Sequence, residues 1–167
     1  MKKIDPKRIE GNFIEKIGSE WMLVTAGKPG DYNTMTASWG GVGELWHKPV
    51  AFVFIRPQRY TYGFTEREDM LTLSFPDHGQ YQKAMSLLGS RSGRDGDKVA
   101  EAGLTPVRTP GGLVAFEEAS LVLECRKLYA QDLDPAAFVD KNIAQKVYPG
   151  KDFHRMYIVE IVAAYQK

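Results

Sequence analysis

Two arginines and a threonine within six residues, Arg56-Pro57-Gln58-Arg59-Tyr60-Thr61, form the tightest cluster able to hold an anion. Arginine offers paired donors to a phosphate, and a helix beginning at Thr61 would add free N–H groups. The same residues also read as a solvated turn with ordinary surface arginines. A second segment, Asn33-Thr34-Met35-Thr36-Ala37-Ser38-Trp39-Gly40, sets small hydroxyl residues on a strand that runs into glycine. Such a strand lets a flat ring approach the backbone, whose N–H and C=O groups can bond the ring's edge. An edge strand with one polar face has the same pattern. Ser90-Arg91-Ser92-Gly93-Arg94-Asp95-Gly96-Asp97-Lys98 is a third basic, hydroxyl-rich stretch, whose acidic neighbours fit self-paired surface charge equally well.

Other chemistries lack their residues. His47, His78 and His154 lie far apart with no i,i+4 pair, so no metal site is expected. In Gly89-Ser90-Arg91-Ser92-Gly93 the serine is misplaced for a nucleophile elbow, and no strand precedes it. No phosphate loop ending in G-K-[ST] exists, and no G-x-G-x-x-G follows the strand that ends at Ala26. The single cysteine, Cys125, shares phase with Leu121 and Leu123, as a buried and inert thiol does. Trp21 and Trp46 read as core or interface anchors.

The chain of 167 residues carries 22 basic and 21 acidic side chains, a net charge of +1, which excludes a dedicated nucleic-acid binder. A hydrophobic fraction of 43% excludes disorder, and the length predicts one domain over 1–167. No apolar run approaches the ~20 residues a membrane span needs. Met1-Lys2-Lys3 has no apolar stretch behind it, so no signal peptide is read and a cytoplasmic location is expected.

The elements that must position these residues follow from spacing. Asp5-Pro6 suits a turn or a short helical start. Asn12 with Glu15 predicts a capped helix over 13–17. Apolar runs predict strands over 21–27, 34–39, 50–55, 70–75, 119–130 and 155–165, with a turn at 28–31 and a glycine loop at Gly40, Gly41 and Gly43. A short helix is predicted over 61–67. Tyr81, Ala84, Met85 and Leu88 mark one face of another, capped by Asp77. A loop over 89–96 and a small helix through Val99 and Ala102 follow. Strands that outnumber helices without alternating with them predict a mainly β antiparallel barrel with peripheral helices.

Taken in order, N-T-M-T-A-S-W-G at 33–40, Pro49 with the apolar strand after it, and R-P-Q-R-Y-T at 56–61 resemble the FMN-binding split-barrel proteins of the flavin reductase-like family, flavoredoxin included. Ser92-Gly93-Arg94-Asp95 with Lys98, and His154 with Tyr157-Ile158-Val159-Glu160-Ile161, extend the resemblance over about residues 12 to 165. It implies a six-stranded Greek-key barrel, usually dimeric, with one tightly bound FMN per subunit near the interface. Thr36, Ala37, Ser38 and Trp39 would then line the flavin ring and its ribityl chain, with Asn33 and Met35 in the same cofactor-binding set. Arg56, Arg59, Tyr60 and Thr61 would hold the phosphate, Arg94 and Lys98 would add charge, and His154 would lie near the redox face.

The implied activity is hydride transfer from NADH or NADPH to the flavin, then electron transfer to a free flavin or another acceptor. The alternative is a flavoredoxin-like electron carrier that works with a protein redox partner. A homodimer is expected, and neither nucleic acid nor membrane is an expected partner. A chain this short has no room for a separate nicotinamide domain, so any nicotinamide would dock over the flavin.

Overall fold

The computed structural model describes residues 1–167. Its frame is one antiparallel sheet. Strands β2 (Met22–Lys28) and β3 (Asp31–Ala37) form a hairpin closed by Pro29 and Gly30, where the positive φ of 89° suits glycine. Strand β6 (Met70–Pro76) pairs with β2, β9 (Ala119–Asp132) with β6, and β10 (Arg155–Gln166) with β9. Strand β5 (Lys48–Ile55) pairs with β10, and β4 (Gly40–Leu45) lies outside it. The order is therefore β3-β2-β6-β9-β10-β5-β4, with the short β1 (Lys2–Ile4) joined to the far end of β10. All six strands read from the sequence belong to this sheet, as the mainly β expectation requires.

Both faces of the central strands are covered, which explains their continuous rather than alternating apolar runs. Val24, Val53, Leu71, Leu73, Leu123, Cys125, Val159 and Ile161 share the main core, whereas Leu23 points the other way. There it meets Met85 and Leu88 of helix α3 (His78–Ser90) and Phe116. Each such side chain contributes roughly 1.5–3 kcal/mol by leaving water. Cys125 is fully buried, and burial pushes its thiol pKa far up, consistent with an inert residue.

The remaining helices are peripheral: α1 (Phe13–Gly18), α2 (Tyr60–Arg67), α4 (Lys98–Glu101) and α5 (Lys141–Val147). Asn12 caps α1 by accepting from the Glu15 N–H at 3.4 Å, and Asp97 caps α4 by accepting from Val99 and Ala100. A small hairpin, β7 (Pro106–Arg108) with β8 (Val114–Phe116), lies outside the main sheet. No helix is long and apolar enough to cross a membrane.

Four local expectations change. Gly40, Gly41 and Gly43 form strand β4 rather than a loop, because β5 offers a free edge and Gly40 sits where a Cβ would strike the Phe52 carbonyl. The β4–β5 turn is made by Trp46 and His47, both at positive φ (55° and 58°), and leaves Trp46 half-exposed, which removes the core half of the core-or-interface reading. Strand β3 ends at Ala37, so Ser38 and Trp39 leave the ladder. Asp77 occupies the first position before α3 but makes no side-chain cap bond, and the helix runs through Gly89 to Ser90.

Candidate functional site

Where β3 ends beside the start of β10, the sheet leaves a cleft of about 260 Å³. One side is Met35, Thr36, Ala37, Ser38 and Trp39; the other is Phe54 and Arg56 at the end of β5, with His154 just before β10. Small residues at Ala37 and Ser38 keep the backbone within reach of the space, while Trp39 and Phe54 supply flat surface. Thr36 does not point a free hydroxyl at it, because Oγ1 donates to the Met85 carbonyl at 2.5 Å and ties β3 to α3. Gly89, also from α3, lines the same cleft, where an added Cβ would press on Thr36 at 3.3 Å.

At Met35 and Arg59 this cleft meets a second basin of about 160 Å³, which those two residues also line. Asn33, Gln58, Tyr60, Thr61, Ser90, Arg91, Ser92, Arg94 and Lys98 complete its wall. Four cations, Arg59, Arg91, Arg94 and Lys98, face a space whose lining contains no carboxylate. Arg59 Nη2 donates to the Gly89 carbonyl at 2.6 Å, which fastens the turn before α2 to the end of α3. Burial, and after it the charge of Arg56, lowers the Arg59 pKa.

Lys98 is 4% exposed, and its Nζ donates to the carbonyls of Leu88 (3.0 Å) and Arg91 (3.1 Å). Burial and then Arg59 lower its pKa to about 8. Arg94 lies over the Tyr60 ring at 4.7 Å. Asn33 Nδ2 donates to Thr61 Oγ1 at 2.7 Å, and Gly93 lies so close to the Asn33 amide that no Cβ fits there. Asn33 and Thr61 thus brace the basin's floor. Of its four cations Arg91 alone has a carboxylate partner, Glu101 at 3.3 Å.

Arg56 stands apart from that cluster. Its guanidinium pairs with Asp152, donates to the Val147 carbonyl at 3.2 Å and lies 5.1 Å from the Tyr148 ring centre. Gln58 donates to the same Asp152 oxygen at 2.6 Å. These bonds hold the Asp152 carboxyl below the usual range. Arg56 therefore borders the aromatic cleft with both terminal nitrogens bonded to protein oxygens, and the charge that sequence reading placed at 56 and 59 is divided between two halves. His154, 8% exposed, lies 5.2 Å from the Trp39 ring centre, and burial followed by Arg56 lowers its pKa to about 4. At neutral pH it is an uncharged imidazole.

Every site residue proposed from sequence lines one half or the other. Those missed are Phe54, Gly89 and Gln58, with Tyr148 and Asp152 behind them. Arg91, Ser90 and Ser92 belong to the third basic stretch that sequence left undecided. Phe54 carries a signal in retrospect, since it alternates with the buried Val53 and Ile55 on β5. Tyr148 and Asp152 carry none, because they lie in a connection without sheet periodicity.

A mainly β antiparallel sheet with peripheral helices and a cleft open between β3 and β10 defines the class as a split-barrel architecture. The chain belongs to the flavin reductase-like family: residues 14–167 match the family model described as flavin reductase like domain. Among solved structures it is similar to an FMN-binding domain of a flavin reductases-like enzyme from Shewanella baltica. That match has 21% identity and a TM-score of 0.69, covering 98% of this chain and 75% of the other. It is also similar to flavoredoxin from Methanosarcina acetivorans (21% identity, TM-score 0.66, 96% and 75% covered). A Streptomyces globisporus NADH:FAD oxidoreductase in complex with NAD and FAD fragments matches as well (17% identity, TM-score 0.65, 88% and 74% covered). No curated protein matches the chain.

Proposed function

We propose that this protein is an FMN-binding oxidoreductase of the flavin reductase type, which takes a hydride from NADH or NADPH and passes electrons to a free flavin or another acceptor. One observation carries the reading. A cleft with flat aromatic walls runs, at Arg59, into a basin with four cations and no carboxylate. A planar ring joined to a phosphate matches that pairing of surfaces, because a dianion needs several charge-assisted donors and a ring needs close, dry contact.

The residues fit FMN. Arg59, Arg91, Arg94 and Lys98 would hold the phosphate, and the 35–39 backbone with Phe54 and His154 would border the ring. Bound FMN would supply the hydride-accepting ring. The chain's own part is orientation and polarity. Arg59 joins the two halves, so ring and phosphate positions are set by one side chain. Arg56, fixed on Asp152, keeps a positive charge beside the ring half and helps hold His154 neutral. Trp39, 49% exposed, forms the mouth through which a nicotinamide would enter.

That exposed mouth also favours a second reading, an FMN carrier reduced by a protein partner, as the likeness to flavoredoxin suggests. Extraction of the cofactor from purified protein, followed by anaerobic mixing with NADH and NADPH, tests both. Rapid bleaching of the oxidised flavin supports the enzyme. Bound flavin that neither nucleotide reduces, but a ferredoxin-type donor does, supports the carrier. A protein that retains no flavin overturns both readings. A homodimer goes with either reading, since Trp39 and Trp46 leave apolar surface at both ends of the edge strand β4; light scattering checks it, and a monomer at working concentration would reject it.

A further inference from the structure

The connection between β9 and β10 supplies the aromatic half with a group the reading above leaves unused. The Tyr148 hydroxyl lies 2.8 Å from Nδ1 of His154. Both partners are held in place. The Tyr148 ring packs against Phe153 and Phe138 at centroid distances of 4.6 and 6.0 Å, under the guanidinium of Arg56. The His154 carbonyl accepts from the Leu133 N–H at 2.9 Å, and Arg56 ties the connection down through Asp152 and the Val147 carbonyl.

A tyrosine hydroxyl has one proton to give, and Nδ1 of His154 is the one side-chain partner this hydroxyl has. Were Nδ1 itself protonated, the buried O–H would face a donor and have nowhere to donate. The O–H therefore donates, Nδ1 accepts, and in a neutral imidazole the proton resides on Nε2. Burial and Arg56 keep the ring neutral against the weaker opposite pull of Asp152. Nε2 has no hydrogen bond within the protein, and the ring borders the cleft beside Trp39 and Phe54.

We propose that Tyr148 is a positioning residue: by donating to Nδ1 it fixes the Nε2–H tautomer of His154, which presents one neutral N–H donor to a carbonyl oxygen or imine-type nitrogen on the edge of a ring ligand. The flavin reading supplies only the ligand's identity; the tautomer follows from the protein alone. A neutral donor adds no charge at that point and stays a donor across the physiological pH range.

Long-range 1H–15N spectra of the full chain decide it, read as purified and again with added FMN, with His154 assigned by its loss in His154→Gln. The wild type should show the Nε2–H form at pH 7, and Tyr148→Phe, which keeps the ring packing, should show a mixture with Nδ1–H. A charged or Nδ1–H His154 in the wild type overturns the proposal, as does a Tyr148→Phe protein that keeps the pure Nε2–H form. If that variant fails to fold, 3-fluorotyrosine incorporation takes its place: the more acidic hydroxyl should shift the Nδ1 resonance, and an unmoved resonance overturns the proposal. With NADH as donor, Tyr148→Phe should lower kcat by up to about tenfold, the weight of one hydrogen bond, with KM little changed. Failure to bind flavin would sink the functional reading, while these resonances would still decide the tautomer.

Discussion

The two halves of the cleft are built on opposite principles. In the aromatic half the polar groups are engaged by protein partners, with Nε2 of His154 left open to the cleft: Arg56 is engaged by Asp152 and Val147, and Nδ1 of His154 by Tyr148. In the basic half Arg59, Arg94 and Lys98 crowd together and donate at most to neutral oxygens, so their charge is left for a ligand. The first half therefore exists in finished form without a ligand. The second holds charge at the folded state's expense, since burial, and after it a neighbouring arginine, lowers the Arg59 and Lys98 pKa values. Shape is prepared in one place and electrostatic demand in the other.

The contrast can be broken at several points. The largest effect is expected from Arg59→Ala, which removes a donor to the anion and the bond that holds Gly89. FMN affinity should fall about 10- to 100-fold, the worth of one charge-assisted hydrogen bond, and fluorescence titration would show it. An unchanged Kd would mean that the phosphate is not held there.

The next test concerns His154. Its unfolded form takes up a proton near pH 6.5 and its folded form only near 4, so the unfolded chain binds more protons between them. Stability should fall as pH drops through that window, by about 2–3 kcal/mol from this group. Urea melts of wild type against His154→Gln isolate the contribution, because the variant should lack this part of the slope. Parallel curves would show the ring to be less buried than described.

A smaller effect belongs to Lys98. Its ammonium begins to lose its proton near pH 8, so affinity for inorganic phosphate should weaken between pH 7 and 9, by up to about tenfold if one charged donor is lost. Lys98→Gln should bind more weakly throughout and show a flatter profile. Identical pH profiles for the two proteins would remove Lys98 from the anion site. Smallest of all is Arg56→Ala, whose effect on phosphate affinity should stay within about threefold because its donors serve Asp152 and Val147. A loss as large as that of Arg59→Ala would erase the division between the halves.

Much of this was legible in residue order. Apolar runs at 21–27, 50–55 and 119–130 became β2, β5 and β9 because continuous burial on two faces leaves a signal that needs no partner to be read. Strand β4 was not legible: its glycines are poor strand formers, and only the free edge of β5 makes them pair. The same limit divided the site. Arg56 and Arg59 look equivalent three residues apart, and Asp152, which separates their roles, lies 96 residues beyond Arg56. Tyr148 was invisible for a similar reason, since its meaning depends on the ring of His154 and on no local period. Local residue types marked Arg59 and Thr61, and the family resemblance added Arg94 and Lys98, whereas the aromatic half depends on chain segments that meet only after folding.

That separation along the chain has a kinetic side. The basin is joined by Asn33 to Thr61, Arg59 to Gly89 and Lys98 to Leu88, at separations of 28, 30 and 10 residues. The aromatic half awaits Arg56 and Asp152, and the pairing of β5 with β10 beneath them. Closing long loops costs chain entropy that short ones do not, so contacts of high sequence separation form late. A nascent chain of about a hundred residues already contains every residue that lines the basic basin, while the aromatic cleft is completed only when the last strand docks.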